Sequence, residues 1–249
     1  MKPDGVARGS SGENITVTPF FILNLCYHCT MSKVQVLGKN IENTKIILDK
    51  IIPDIESRLG ISTDFLIKVR LHDTRKSFDK QLNRKTSDWE VGNTSDKNEI
   101  DIIHEDSFEK YSSHPRDDFP RILKHEISHI YINKISDGKM IPMWLNEGLS
   151  MYLADQMTQY RDKGIFVEND YLSKISTEYG WNKYSNYSAY AYSCLFVDFL
   201  INKYSLNKVV ELVKKLKSNY SCNAFDKLFL SVFNKSLEDI EKNFVETLK

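Results

Sequence analysis

The chain carries 249 residues, with 34 Lys+Arg against 34 Asp+Glu, 41% apolar residues and a mean hydropathy of −0.42. A net charge of zero removes any bulk electrostatic pull toward nucleic acid or an anionic membrane, and the hydropathy argues against an integral membrane protein, so a globular chain with a sizeable core is expected. Four cysteines, Cys26, Cys29, Cys194 and Cys222, are too few for a disulfide scaffold at this length and point to a reducing compartment.

Residues 1–18 contain several turn formers and no hydrophobic periodicity, and read as a disordered lead-in to a single domain over 19–249. The run Phe20 to Tyr27 is apolar but too short to span a bilayer. A polar stretch precedes it where a signal peptide carries a basic segment, so a buried strand and a cytoplasmic chain are expected. Cys26-Tyr27-His28-Cys29 has the spacing of a redox pair or half a zinc site, but no second pair follows to complete a tetrad.

Further along, Ile41, Ile46, Ile47, Leu48, Ile51, Ile52, Ile55 and Leu59 recur at helical spacing before Gly60, which predicts a packing helix over 40–59. Phe65 to Leu71 reads as a strand, Lys76 to Leu82 as a short helix, Glu90 to Lys97 as a turn region and Glu99 to His104 as a second strand. His72, His104 and His114 lie in this half without a partner at ligand spacing, and are read as surface or core histidines.

After the break at Pro115 to Pro120 comes a helix over 120–135 bearing His125-Glu126-Ile127-Ser128-His129. Two histidines four apart project from one helical face, because 3.6 residues per turn stacks i above i+4, and both can ligate one Zn²⁺. Glu126, beside the first ligand, is placed to act as general base toward a water. Glu147 follows His129 by eighteen positions, and a second helix returning antiparallel after the turn at Asp137-Gly138 would let it complete a His₂Glu set.

This helix, followed by Pro142-Met143-Trp144-Leu145-Asn146-Glu147-Gly148-Leu149-Ser150-Met151-Tyr152, resembles the gluzincin metallopeptidases. Within them it is most similar to the compact peptidase MA-like domains, and more distantly to aminopeptidase N-like enzymes and thermolysin. The shared pattern is met at Pro142, Trp144, Leu145, Glu147, Gly148, Leu149, Ser150 and Tyr152. The resemblance implies an α+β zincin-like fold, with a mixed strand and helix lobe over about 19–135 that includes the active helix and a helical lobe over 136–249. It also implies one zinc per chain, a peptide or protein substrate, and a substrate-pairing sheet edge near 91–104.

Two departures narrow what carries over. Gly92 opens Gly-Asn-Thr-Ser-Asp where aminopeptidase N-like enzymes read Gly-x-Met-Glu-Asn, whose Glu holds the substrate's amino terminus. Met151 stands where thermolysin-like enzymes have an Asp that orients a zinc histidine, so that partner has to come from elsewhere.

The rest of the chain is predicted helical, over Leu145–Tyr160, a short piece near Tyr171–Glu178, Tyr187–Tyr204, Asn207–Lys217 and Asn223–Phe233, with Ser236-x-x-Asp239 opening the last helix. Tyr192, forty-five positions after Glu147, falls where the resemblance places a tyrosine that stabilises the transition state. Tyr184, Tyr187 and Tyr190 crowd the same segment, so Tyr190 stays open for that role, as does plain aromatic packing. The function expected is peptide hydrolysis by metal-activated water. A zinc hydrolase of another amide, a catalytically silent zinc-binding interaction domain and a metal-free structural protein remain its alternatives.

Overall fold

The computed structural model describes residues 33–62, 65–95, 97–161, 170–184, 187–216 and 222–248. The apolar run Phe20 to Tyr27, the Cys26/Cys29 pair and the loop at Gly164 lie outside them. From Met31 onward the chain forms one compact unit of mixed α and β structure.

A small sheet takes the order β1 (Lys33–Leu37), β2 (Leu66–His72), β4 (Glu99–Ile103), β3 (Gly92–Ser95). β1, β2 and β4 run parallel, and β3 pairs antiparallel with β4 at the edge. Strand β2 alternates as a half-buried strand should: Ile67, Val69 and Leu71 enter the core, while Lys68, Arg70 and His72 face the other way. There they meet acidic residues of β4, with Arg70 3.3 Å from Asp101 and His72 Nε2 2.8 Å from Asp101 Oδ1.

β3 corrects the expectation of a turn over 90–97. The turn at residues 97–98 has Asn98 in the left-handed region (φ 58°), and Gly92-Asn93-Thr94-Ser95 is a strand in register Gly92↔Ile102 and Thr94↔Ile100. Nothing in those four residues alternates in polarity, so their strand state comes from pairing with β4 rather than from intrinsic preference.

Helix α1 (Ile41–Leu59) buries Leu48, Ile52, Ile55 and Leu59 and ends where Gly60 turns left-handed at φ 62°. α2 (Arg75–Leu82) starts at Thr74, whose hydroxyl accepts from Ser77 N at 3.1 Å. Arg75 then donates to the backbone oxygens of Asp88 (2.9 Å) and Tyr111 (2.6 Å), to Glu90 O, and to Thr86 Oγ1 (2.8 Å). One guanidinium thereby fixes the loop that leads into β3.

After α3 (Phe108–Tyr111) comes α4 (Phe119–Ile135), where Pro120 suits the first turn because its missing N–H is not needed there. Leu123, Ile127, Ile130, Tyr131 and Ile132 of α4 are all buried. Asp137 (φ 58°) and Gly138 (φ 65°) turn the chain toward α5 (Met143–Leu153). Trp144 anchors α5, packed edge-on against Phe196 at 5.4 Å and Phe225 at 6.2 Å.

The helix expected over 145–160 is divided. Asp155 adopts φ 56°, and α6 (Thr158–Arg161) starts afresh. The free carbonyls at the end of α5 are capped from α1: Arg58 donates to Tyr152 O (3.1 Å) and Leu153 O (2.8 Å). Arg58 and Lys124 both also bind the Asp155 carboxylate.

The single piece expected near 171–178 is likewise two, α7 (Tyr171–Lys174) and α8 (Glu178–Tyr184). α9 (Tyr187–Tyr204), α10 (Leu206–Lys214), α11 (Cys222–Phe233) and α12 (Leu237–Thr247) follow the predicted order. Ser236 caps α12 by accepting from Asp239 N at 3.0 Å. Among the described residues no helix is long and apolar enough to cross a membrane.

Candidate metal centre

His125 and His129 project from one face of α4, one turn apart, with their Nε2 atoms turned toward each other at 3.0 Å. Glu147, on α5, closes the third side: Oε2 lies 3.5 Å from His125 Nε2 and Oε1 lies 3.8 Å from His129 Nε2. One donor atom from each residue falls within 4.8 Å of the others, and these three can hold a metal ion. All three side chains are largely buried, with 13–14% of their surface exposed.

Electrostatics inside the cluster favour the charged pair. Burial opposes ionising Glu147, but His129 and His125 outweigh it and hold the carboxyl below its usual range. Burial likewise opposes protonating His125, yet Glu147 beside it, with Glu126 and Gln156, holds the imidazole above its ordinary value. A cation placed among them would replace the proton as the positive partner.

The partners of His129 Nδ1 come from α5. His129 Nδ1 lies 3.1 Å from Asn146 Oδ1 and 3.0 Å from Ser150 Oγ. An amide oxygen at Nδ1 keeps the proton there and leaves the Nε2 lone pair for a metal. Asn146 and Ser150 are four apart, hence on one helical face, and flank Glu147. Asn146 and Ser150 thus supply what an Asp at the position of Met151 would have done.

Glu126, 8% exposed, meets β3, where Thr94 Oγ1 donates to its Oε2 at 2.6 Å. The structure separates the two tyrosines of α9. Tyr192 is fully buried, donates to Glu241 Oε1 at 3.0 Å, and packs edge-on against Tyr171 and Phe244. Its hydroxyl is thus engaged with Glu241 of α12 rather than with His125, His129 or Glu147.

Tyr190, two residues earlier and so about 200° around the helix, lies between Trp181 (5.0 Å) and the half-exposed Trp89 (6.1 Å). Burial first, then the charges of Glu147, Glu126 and Glu90, push its hydroxyl well above the ordinary tyrosine range.

What brings α9 so close is Gly148, the neighbour of Glu147. A Cβ there would run into the backbone carbonyl of Ser193 and stand 2.7 Å from Val197 Cγ2, so α5 and α9 touch backbone to backbone. Ser193 is one turn from Tyr190, which places Tyr190 at the same crossing as Glu147.

A comparison with curated proteins gives no significant match. A family model does match: residues 113–249, more than half of the chain and spanning α4, α5 and α9, fit that of the peptidase MA superfamily, and the chain belongs to this superfamily.

Proposed function

We propose that the protein is a zinc-dependent peptidase of gluzincin type, with His125, His129 and Glu147 as the ligands of one Zn²⁺ and Glu126 as general base. The observation that carries the reading is the convergence of two Nε2 atoms and a carboxylate at separations of 3.0–3.8 Å. Ligands held at about 2.0–2.1 Å on a tetrahedral zinc stand about 3.4 Å apart, so the set fits the ion. Superfamily membership supports the peptidase class.

Zinc bound there would lower the pKa of a water toward about 7 and polarise the scissile carbonyl. Glu126 takes the proton of the attacking water on a carboxylate oxygen and passes it to the leaving amine. Tyr190, kept protonated by its burial and its acidic neighbours, donates its hydroxyl to the carbonyl oxygen as negative charge grows. β3 is the edge strand beside α4, and its outer side offers main-chain groups for pairing with an extended peptide. Ser95 stands where the resemblance to aminopeptidases would require a Glu for the substrate's amino terminus, which speaks against aminopeptidase action.

The test is metal analysis and a quenched-peptide library on the full chain purified with zinc. One zinc per chain and chelator-sensitive cleavage are expected. His129→Ala or Glu147→Ala should lose the metal, while Glu126→Gln keeps it and loses about 10²–10⁴-fold in rate. A chain that takes up no zinc overturns the ligand set. Zinc without cleavage of any peptide leaves a binding domain or a hydrolase of another amide.

A further inference from the structure

Glu126 has two carboxylate oxygens, and β3 treats them differently. Gly92 and Thr94 are two positions apart, so they lie on the same face of the strand, the face turned to α4. Thr94 Oγ1 has one proton and two acceptors in reach, Glu126 Oε2 at 2.6 Å and the Glu126 carbonyl at 3.0 Å. The nearer, charged acceptor takes it.

Gly92 stands by the other oxygen. A Cβ at this position would lie 2.7 Å from Glu126 Oε1 and 2.8 Å from Cγ, inside contact distance of both. Gly92 lacks a positive φ, so its backbone could accept a side chain, and what a side chain would displace is Glu126. The last torsion of a Glu side chain is broad and roughly two-fold, so without such restraints the carboxylate plane would be poorly fixed.

We infer that β3 assigns the two oxygens of Glu126: Thr94 holds Oε2, and the missing side chain at Gly92 makes the space that Oε1 occupies, which leaves Oε1, without that tether, as the atom that receives and returns the proton. The inference rests on Glu126 as general base and deepens that reading. Thr94 touches no reacting atom and is a positioning residue. The proton from the attacking water goes onto Oε1 and leaves from Oε1 to the amine, while the Thr94 bond to Oε2 persists. Orientation errors of about 1 Å cost on the order of 10²-fold in rate, so such a tether matters.

The experiment pairs kinetics with a readout that needs no activity. In the metal-free full chain, the Glu126 carboxylate stretch is isolated by infrared difference between wild type and Glu126→Gln. Thr94→Val should shift it, and Thr94→Ser should restore it.

In the zinc-loaded chain, on a peptide chosen from the library, Thr94→Val should lower kcat by about 10–10²-fold with KM and zinc content unchanged. Thr94→Ser should recover most of that, and Thr94→Val should cost nothing further in a Glu126→Gln background. Gly92→Ala should lower kcat with zinc retained. An unshifted infrared band in Thr94→Val, or equal losses in Thr94→Val and Thr94→Ser, overturns the role of Thr94; wild-type kcat in Gly92→Ala overturns that of Gly92. A wild-type chain that binds zinc and cleaves nothing overturns the peptidase reading instead, and the infrared result then decides the tether alone.

Discussion

Tyr190 and Tyr192 differ by two positions and by what their hydroxyls meet. Tyr190 is surrounded by Trp89 and Trp181 and feels the carboxylates of the metal cluster; Tyr192 is spent on Glu241. Tyr190→Phe should therefore lower kcat by about 10²–10³-fold with melting temperature and zinc content little changed. Tyr192→Phe should do the reverse, holding kcat while removing a buried hydrogen bond worth about 0.5–1.5 kcal/mol or somewhat more where the acceptor is a carboxylate. Kinetics and thermal melts on the two variants check both. The sequence could not separate these residues, because four tyrosines fall within nine positions and the choice depends on which side of α9 meets α5. The motif on α4 is legible for the opposite reason: His125, Glu126 and His129 are fixed relative to each other by one helical turn, a purely local geometry.

At the scale of elements the decisive contact is between α5 and α9. Alanine is a better helix former than glycine by about 1 kcal/mol, so local preference alone would make Gly148→Ala stabilising. The added methyl, however, meets the Ser193 carbonyl, which is backbone and cannot turn aside. Overpacking of this kind costs about 1–3 kcal/mol and wins. Gly148→Ala should lower the melting temperature and weaken zinc binding together, since the helix that must shift carries Glu147. A calorimetric scan with a zinc titration checks this. Helix periodicity locates α1, α4 and α9 from the sequence to within a residue or two, whereas it gives no sign of β3, since four polar or small residues acquire their strand state only from the partner at β4. The split of the expected helix at Asp155 was also hidden, because it is stabilised by Arg58 and Lys124, 97 and 31 residues away.

Across the whole molecule, Glu241 joins three helices: from α12 it accepts the Tyr192 hydroxyl of α9 and the Leu172 N–H of α7, both at 3.0 Å. Burial outweighs these two donors and raises its pKa above the ordinary Glu value. The folded state then binds a proton that the unfolded state has already released, so this group lowers stability as pH rises from the ordinary carboxylate range through the raised folded value. Glu241→Gln keeps an acceptor for both donors and carries no charge. It should melt higher than wild type at pH 8, with the difference closing as pH falls toward 4, and paired melts across that range check the sign. The backbone contact at Gly148 has a mechanical consequence as well. Two helices touching without side chains between them have no layer on which to slide, so α5 and α9 form one stiff bar that carries Glu147 and Tyr190 together. Relative movement at the site then falls to the other side of α4, where β3 meets Glu126 through Thr94.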